Sequence, residues 1–202
     1  MIIKHNGKTP QIHPTAYVAP TATVCGDVTI GPNCRIMHGA SIIAEGGSIS
    51  FGEYCIVLEN AVVRSTGRHS ASIGNFCLIG PNAHVTGCTV ENEIFIATGA
   101  AIFHGAHLGK GAEVRINGVV HLKSHLLPGE MVPIGWVAVG NPAKIFPPHE
   151  HEKIWELQKP LNFPLAVYGI ERGEGIMPDV TRKIAKSLAT HKHDEINENE
   201  KN

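Results

Sequence analysis

The chain has 202 residues, 43% of them hydrophobic, enough for one well-buried domain with an appendage. Lys and Arg number 17 against 18 Asp and Glu, so a net charge of −1 leaves no electrostatic footprint for nucleic acid or an anionic membrane surface. No apolar run reaches the roughly 18 residues of a membrane span, and the N-terminus lacks a signal-peptide core, so the expected compartment is the cytoplasm. The five cysteines (Cys25, Cys34, Cys55, Cys77 and Cys88) form no CxxC pair and read as reduced thiols. Aromatic residues make up only 5%, while Gly reaches 22 and Pro 13, a composition that predicts many turns around a core of small branched side chains.

From residue 12 onward an apolar residue recurs every sixth position: Ile12, Val18, Val24, Ile30, Ile36 and Ile42. After a slip the ladder continues through Phe51, Val57 and Val63, then Ile73, Ile79 and Val85, then Val90 to Leu126. Four positions after the ladder residue stands something small, as at Ala22, Cys34, Cys55, Cys77, Ala83 and Ala100. A period of six fits neither a helix nor a long strand, but it fits short strands joined by tight corners, three to a triangular coil. One coil buries nothing alone; stacked at roughly 4.7–4.9 Å, each ladder residue packs on its counterparts above and below. The small residue turns inward at the corner, which places Cys34, Cys55 and Cys77 in one core column as small hydrophobes. Gly31, Gly52, Gly74, Gly80 and Gly109, each just after a ladder residue, suit positive φ or close backbone approach.

The segments "GDVTIGPNCRIMHGASI", "IGNFCLIGPNAHVTGC" and "VAVGNPAKIF" resemble the hexapeptide-repeat proteins, most closely their γ-class carbonic anhydrase-like branch, over residues 10 to 146. The resemblance implies an all-β fold, a left-handed parallel β-helix with C-terminal α-helices, assembled as a homotrimer with sites between subunits. Active relatives hold zinc with three histidines and leave one position open for water, whose pKa the metal lowers to about 7. Carried onto this chain, the ligand positions fall on Arg64 in "VLENAVVR" and on Pro81 and Thr86 in "IGPNAHVTGC". None is a histidine, and zinc is not expected there, since a guanidinium cannot ligate and proline offers no donor. The relatives' other polar groups correspond to Ile43, Glu45 and Leu58, with the acid retained at Glu59. His84 lies two residues ahead of the ligand position. His84 and His104 are the candidate catalytic pair, and Arg64, Glu59 and Arg68 the candidate ligand-binding groups, although for each histidine a solvated surface role is the plainer reading.

The loop "RSTGRHSAS", residues 64 to 72, interrupts the ladder, and its Arg64, Arg68 and His69 offer a seat for an anion; a solvated loop is the plainer alternative. The ladder stops at Pro147 and Pro148, which divides the chain into a β-helix over 1–146, a helical appendage over 147–192 and a disordered tail over 193–202. "HEHEKIWELQKP" predicts a short helix with Ile154 and Leu157 against the solenoid. "PLNFPLAVYGIERGEG" reads as irregular. Pro178 and Asp179 open a second helix with Val180, Ile184 and Leu188 on one face.

Two functions follow. The first is a trimeric carbonic anhydrase-like protein without zinc-dependent CO2 hydration, serving as a binding or scaffold protein for a small molecule or protein partner, with no cofactor. The second is a hexapeptide-repeat acyltransferase that takes acyl-CoA at the subunit interface and uses a histidine as general base. Zinc chemistry through a relocated histidine set ranks behind both, and whether the chain is an enzyme is open at this point.

Overall fold

The computed structural model describes residues 1–196. Two- to five-residue strands alternate with tight corners and stack into three parallel sheets, so that each ladder residue enters the interior. On the long face the ladder runs Ile2, Val24, Ile42, Val63, Val85, Ile102, Val120 and Ala138, each register-paired with the next. The other two faces bury Ile30, Phe51, Ile73, Val90, Leu108 and Leu126, and Ile36, Val57, Ile79, Ile96, Val114 and Val132. A fully buried Val or Leu in such a column contributes about 1.5–3 kcal/mol, before chain entropy is subtracted.

The corners follow a second rule. Three positions after a ladder residue the backbone turns left-handed, at Asn33, Tyr54, Phe76, Asn82 and Asn117, with φ between 53° and 58°. The next residue is the small one, and Cys34, Cys55 and Cys77 stack as expected, their thiols donating to the carbonyls of Gly52, Gly74 and Glu91 in the coil above. The glycines just after the ladder have ordinary φ; their role is close approach. A Cβ on Gly80 would stand 2.8 Å from the Ala97 carbonyl carbon, and one on Gly109 would stand 2.6 Å from the Pro128 nitrogen.

The 64–72 segment is not a loop. The strand Val62–Thr66 continues the long face in full register with Ser41–Glu45, then reverses in a hairpin closed by Thr66 and His69 backbone bonds. Alternating inward and outward residues let Ser65 turn inward, where its hydroxyl bonds the Gly47 carbonyl, so the extra residues extend the sheet.

Both edges of the long face are closed by antiparallel strands. Lys144–Phe146 folds back on Val137–Val139, and Glu195–Ile196 pairs with Ile2–Lys4. Such cover removes the exposed ladders that invite edge-to-edge association. Residues 193–196 therefore lie against the first coil, unlike the tail expected from composition; the rest of that expected tail, 197–202, falls outside the described residues. Helix α1 (His151–Gln158) buries Ile154 against the last coils. The "irregular" segment contains a turn of π-helix over Pro164–Tyr168, and α2 (Met177–Leu188) lays Val180, Ile184 and Leu188 toward the long face. No helix among the described residues is long and apolar enough to cross a membrane.

Candidate functional site

Outward positions on the long face are free of the ladder's constraint, and there the chemistry collects. Arg64 pairs in register with Thr86, and His84 stands two residues earlier beside Val62. Phe103 and His104 follow Ile102 on the next coil. Helix α2 and the Pro164–Tyr168 turn roof these groups and leave a cavity of about 430 Å³. Its polar lining includes Glu45, Arg64, Thr66, His84, Thr86 and His104, with Lys183 and Ser187 from α2; its apolar wall comes from Phe103, Phe163, Tyr168 and Leu188.

The electrostatics are specific. Arg64 Nη2 lies 3.1 Å from Glu45 Oε1, and that carboxylate also receives His191 Nε2 at 2.9 Å. Burial, and then the nearby Arg64 charge, lowers the His84 pKa. Burial together with the charges of His69, His84 and Arg64 lowers His104 from 6.5 to about 4. Both imidazoles are neutral at neutral pH. Thr86, 4% exposed, and His104, 8% exposed, are deeply buried, yet Thr86 Oγ1 and His104 Nδ1 have no hydrogen-bond partner among the described residues, and neither does Thr66 Oγ1. A buried polar atom left unpaired costs about 1–3 kcal/mol, so three around one cavity mark a place prepared for something polar.

The structure brings three of the sequence candidates together: His84, His104 and Arg64 line one cavity. Glu59 and Arg68 stand elsewhere. Glu59 occupies an exposed corner because it falls on the turn after Val57, not on the long face. Arg68 sits at the tip of the hairpin, with its guanidinium 3.5 Å from the Leu165 carbonyl. The acid that faces the pocket is Glu45, and Lys183 on α2 is a further cation there. Glu45 was readable as an outward residue of the long face; the α2 and 163–168 contributions had no spacing signal, because they come from a separate segment folded over the sheet.

The three positions that the resemblance assigns to zinc do not make a donor set. Arg64 is committed to Glu45, Thr86 offers one hydroxyl, and Pro81 lies at a corner away from the cavity lining.

Stacked hexapeptide coils of this geometry define a class of β-solenoid, and comparison with known proteins narrows it. Arabidopsis thaliana mitochondrial γ carbonic anhydrase 1 is 33% identical over 143 residues, 68% of this chain and 50% of that protein. A carbonic anhydrase of Geobacillus kaustophilus is 26% identical over 159 residues, 79% of this chain and 84% of the other. A solved hexapeptide transferase family protein from Anaplasma phagocytophilum superposes with a TM-score of 0.50 at 25% identity, covering 93% of this chain and 97% of that one. An acetyltransferase candidate from Bacillus cereus, at TM-score 0.55 and 19% identity over 92% and 94% of the two chains, shares the fold. No family model matches the chain. The chain belongs to the hexapeptide-repeat, left-handed β-helix family, in its γ-class carbonic anhydrase-like branch. It spans about half the length of the Arabidopsis relatives it matches, 50% and 49%.

Proposed function

We propose that this chain is a carbonic anhydrase-like binding protein that has exchanged zinc-dependent CO2 hydration for recognition of a small carboxylate with an apolar body. The observation that carries the reading is the set of unpaired buried atoms, Thr86 Oγ1 and His104 Nδ1, beside the Arg64 guanidinium in one cavity. A guanidinium presents a fork of donors matched to a carboxylate. Glu45 Oε1 stands 3.1 Å from Arg64 Nη2. Phe103, Phe163, Tyr168 and Leu188 suit the ligand's apolar end, and about 430 Å³ lies within the roughly 300–1,000 Å³ range of ordinary small-molecule sites. Hydration of CO2 at the relatives' zinc position has no support, since Arg64 can neither bind the metal nor give up its proton to act as a base.

The assembly in this reading is a homotrimer. Glu59, Pro81, Thr98, Ile116 and Ile134 stack on one corner, joined through backbone bonds such as Gly99 N to the Pro81 carbonyl at 3.0 Å and Gly135 N to the Ile116 carbonyl at 3.0 Å. Ile116 and Ile134 are 46% and 66% exposed, an apolar edge that suits burial against a neighbouring copy. That corner would carry Glu59 toward the next subunit. Light scattering should give about three times the 21.7 kDa chain mass.

The test is a ligand-observed NMR screen with small aromatic and aliphatic monocarboxylates and their neutral amides. Carboxylates bind the native chain and not Arg64→Gln; equal binding by both proteins sinks the proposal. The neutral, part-exposed His84 favours one second reading, an acyltransferase in which it serves as general base, since a neutral imidazole is what proton abstraction requires. Saturable acetyl-CoA binding that competes with the carboxylate would favour that reading.

A further inference from the structure

The far end of the same face holds a group of side chains that the pocket does not use. His5 follows the first strand, Cys25 lies on the second long-face strand, and His191 and Asp194 belong to the segment after α2 that crosses back over the first coil. One ligand atom from each falls within 4.8 Å of the others, and this is the one such group among the described residues. His5 Nδ1 is 2.6 Å from Asp194 Oδ1, His191 Nδ1 is 2.8 Å from Asp194 Oδ2, and Cys25 Sγ is 4.0 Å from that same Oδ2. His5 and Cys25 are each 2% exposed.

We propose that His5, Cys25, His191 and Asp194 form a closed zinc site that fastens the C-terminal segment to the first coil. Four features support it. The donor set, one thiolate, two imidazoles and a carboxylate, consists of zinc ligand types and numbers four, which fills a tetrahedron and leaves no place for a reactive water. A divalent ion with Cys25 thiolate, Asp194 carboxylate and two neutral imidazoles sums to zero charge, the one balance a buried site carries without penalty. Each ring also has a partner for its outer nitrogen: His191 Nε2 donates to Glu45 at 2.9 Å, and His5 Nε2 meets the Asn6 side-chain amide at 2.9 Å. An outer-shell hydrogen bond of this kind fixes the tautomer that points a lone pair at a metal. Turning the Asn6 amide end for end, a change that leaves the heavy atoms in place, gives His5 the acceptor it needs. Finally, Cys25 is misplaced as a core thiol. It shares an outward register column with Ile3, Ile43 and Arg64, apart from the inward stack of Cys34, Cys55 and Cys77.

The geometry needs a rearrangement in both directions: the widest separations, up to 4.8 Å, must close, and the 2.6 and 2.8 Å contacts of Asp194 with His5 and His191 must open. With zinc about 2.0–2.1 Å from nitrogen and about 2.3 Å from sulfur, donors of a filled tetrahedron lie roughly 3.3–3.7 Å apart. Both histidines would give up their Nδ1 hydrogen bonds to Asp194, each carrying its proton on Nε2 instead, the Cys25 thiol would lose its proton, and Asp194 would turn one carboxylate oxygen to the ion. The site joins positions 189 residues apart in sequence, and through His191 and Glu45 it is tied to Arg64 of the pocket. It is separate from the carboxylate-binding reading and survives its failure.

The experiment is titration of the untagged, chelator-stripped full chain with Co2+, followed by Zn2+ displacement. The expected result is one equivalent of cobalt per chain with a thiolate-to-metal absorption band, bleached by zinc. The band disappears in Cys25→Ser, cobalt binding falls sharply in His191→Ala, and Asn6→Ala weakens it by about 10–100-fold through the outer-shell bond. His84→Ala, in the other pocket, leaves cobalt binding unchanged. Should Cys25→Ser not fold, the part-exposed His191 gives the independent variant. Absence of a thiolate band on the native chain at one equivalent overturns the proposal, as does its persistence in both Cys25→Ser and His191→Ala. Loss of binding on His84→Ala would also overturn it, by moving the metal to the pocket.

Discussion

Thr86→Val tests whether the pocket is held ready at a cost to the empty protein. Threonine and valine have nearly the same shape, and residue 86 is 4% exposed with an unpaired hydroxyl, so the swap removes a buried polar group and opens no cavity. An unsatisfied hydroxyl costs about 1–3 kcal/mol, and the neighbouring 430 Å³ cavity lets water recover part of it, which leaves a gain of about 1 kcal/mol. For a chain of this length that is a rise in melting temperature of roughly 2–4 °C. The same variant should bind the carboxylate ligand about fivefold more weakly, having lost one hydrogen bond of about 1 kcal/mol. Urea unfolding gives the first quantity and the NMR titration the second. If Thr86→Val instead loses about 1 kcal/mol or more of stability, the hydroxyl already has a partner and the argument from unpaired atoms fails.

Acid should act through His104. Its folded pKa of about 4 lies below the ordinary 6.5, so the contribution of the neutral ring is complete above about pH 6.5 and is lost as pH falls toward 4, by at most about 3 kcal/mol. His69 on the hairpin, His84 and Arg64 on the long face and Phe163 from the roof all face or neighbour that ring, and His69, His84 and His121 are shifted in the same direction while His191 is raised. The diagnostic is therefore the difference between native protein and His104→Phe in urea unfolding, flat above about pH 7.5 and changing below about 6.5; a difference independent of pH would refute the assignment. Leu108→Ala, at a fully buried position, should cost about 2–5 kcal/mol by equilibrium unfolding, and a loss below about 1 kcal/mol would mean the coils are not close-packed. Gly80→Ala places a Cβ 2.8 Å from the Ala97 backbone, whereas Gly111→Ala meets open space and only a left-handed φ of 71°; the melting temperature should fall further for the first, and the reverse order would contradict the close-approach role.

The ladder was legible because a six-residue period has one economical geometry, and the inward positions it named are the ones that pack. The corners were half legible. Small residues such as Cys34 and Ala83 were placed correctly, but the same sequence could not separate positive φ from close approach at Gly80, since both demand a missing Cβ. His84 and Arg64 met in one cavity because outward residues of one coil lie over outward residues of the next, and His104, in the corner just after Phe103, turns toward the same space. Glu59 stands off the cavity within one chain, and its likeness to a family acid said nothing of which side of a corner it occupies. The segment from Arg64 to Ser72 broke the hexad period and so read as a loop, although its alternation Val63, Ser65 was that of a strand. The His5, Cys25, His191 and Asp194 cluster has no local spacing at all. Its one trace in the sequence was Cys25 standing directly after Val24, an outward position where a small thiol has no packing reason to be.

A solenoid separates the residues that fold the chain from those that act. Ile42, Val63, Val85 and Ile102 fix the long face whatever stands beside them, because their packing partners are one another. Outward positions such as 64 and 86 can therefore carry quite different side chains at no cost to the coils, and the same freedom lets Thr86 and His104 keep polar atoms without a partner among the described residues. What the face cannot do alone is exclude water, since a flat sheet offers no concavity. Helix α2 and the 163–168 turn supply it, and they are held in turn by the last residues crossing the first coil. The pocket at the middle of the face thus depends on the fastening at its end. A change at His191 should be felt at Arg64 through Glu45, which hydrogen-bonds to one and pairs with the other.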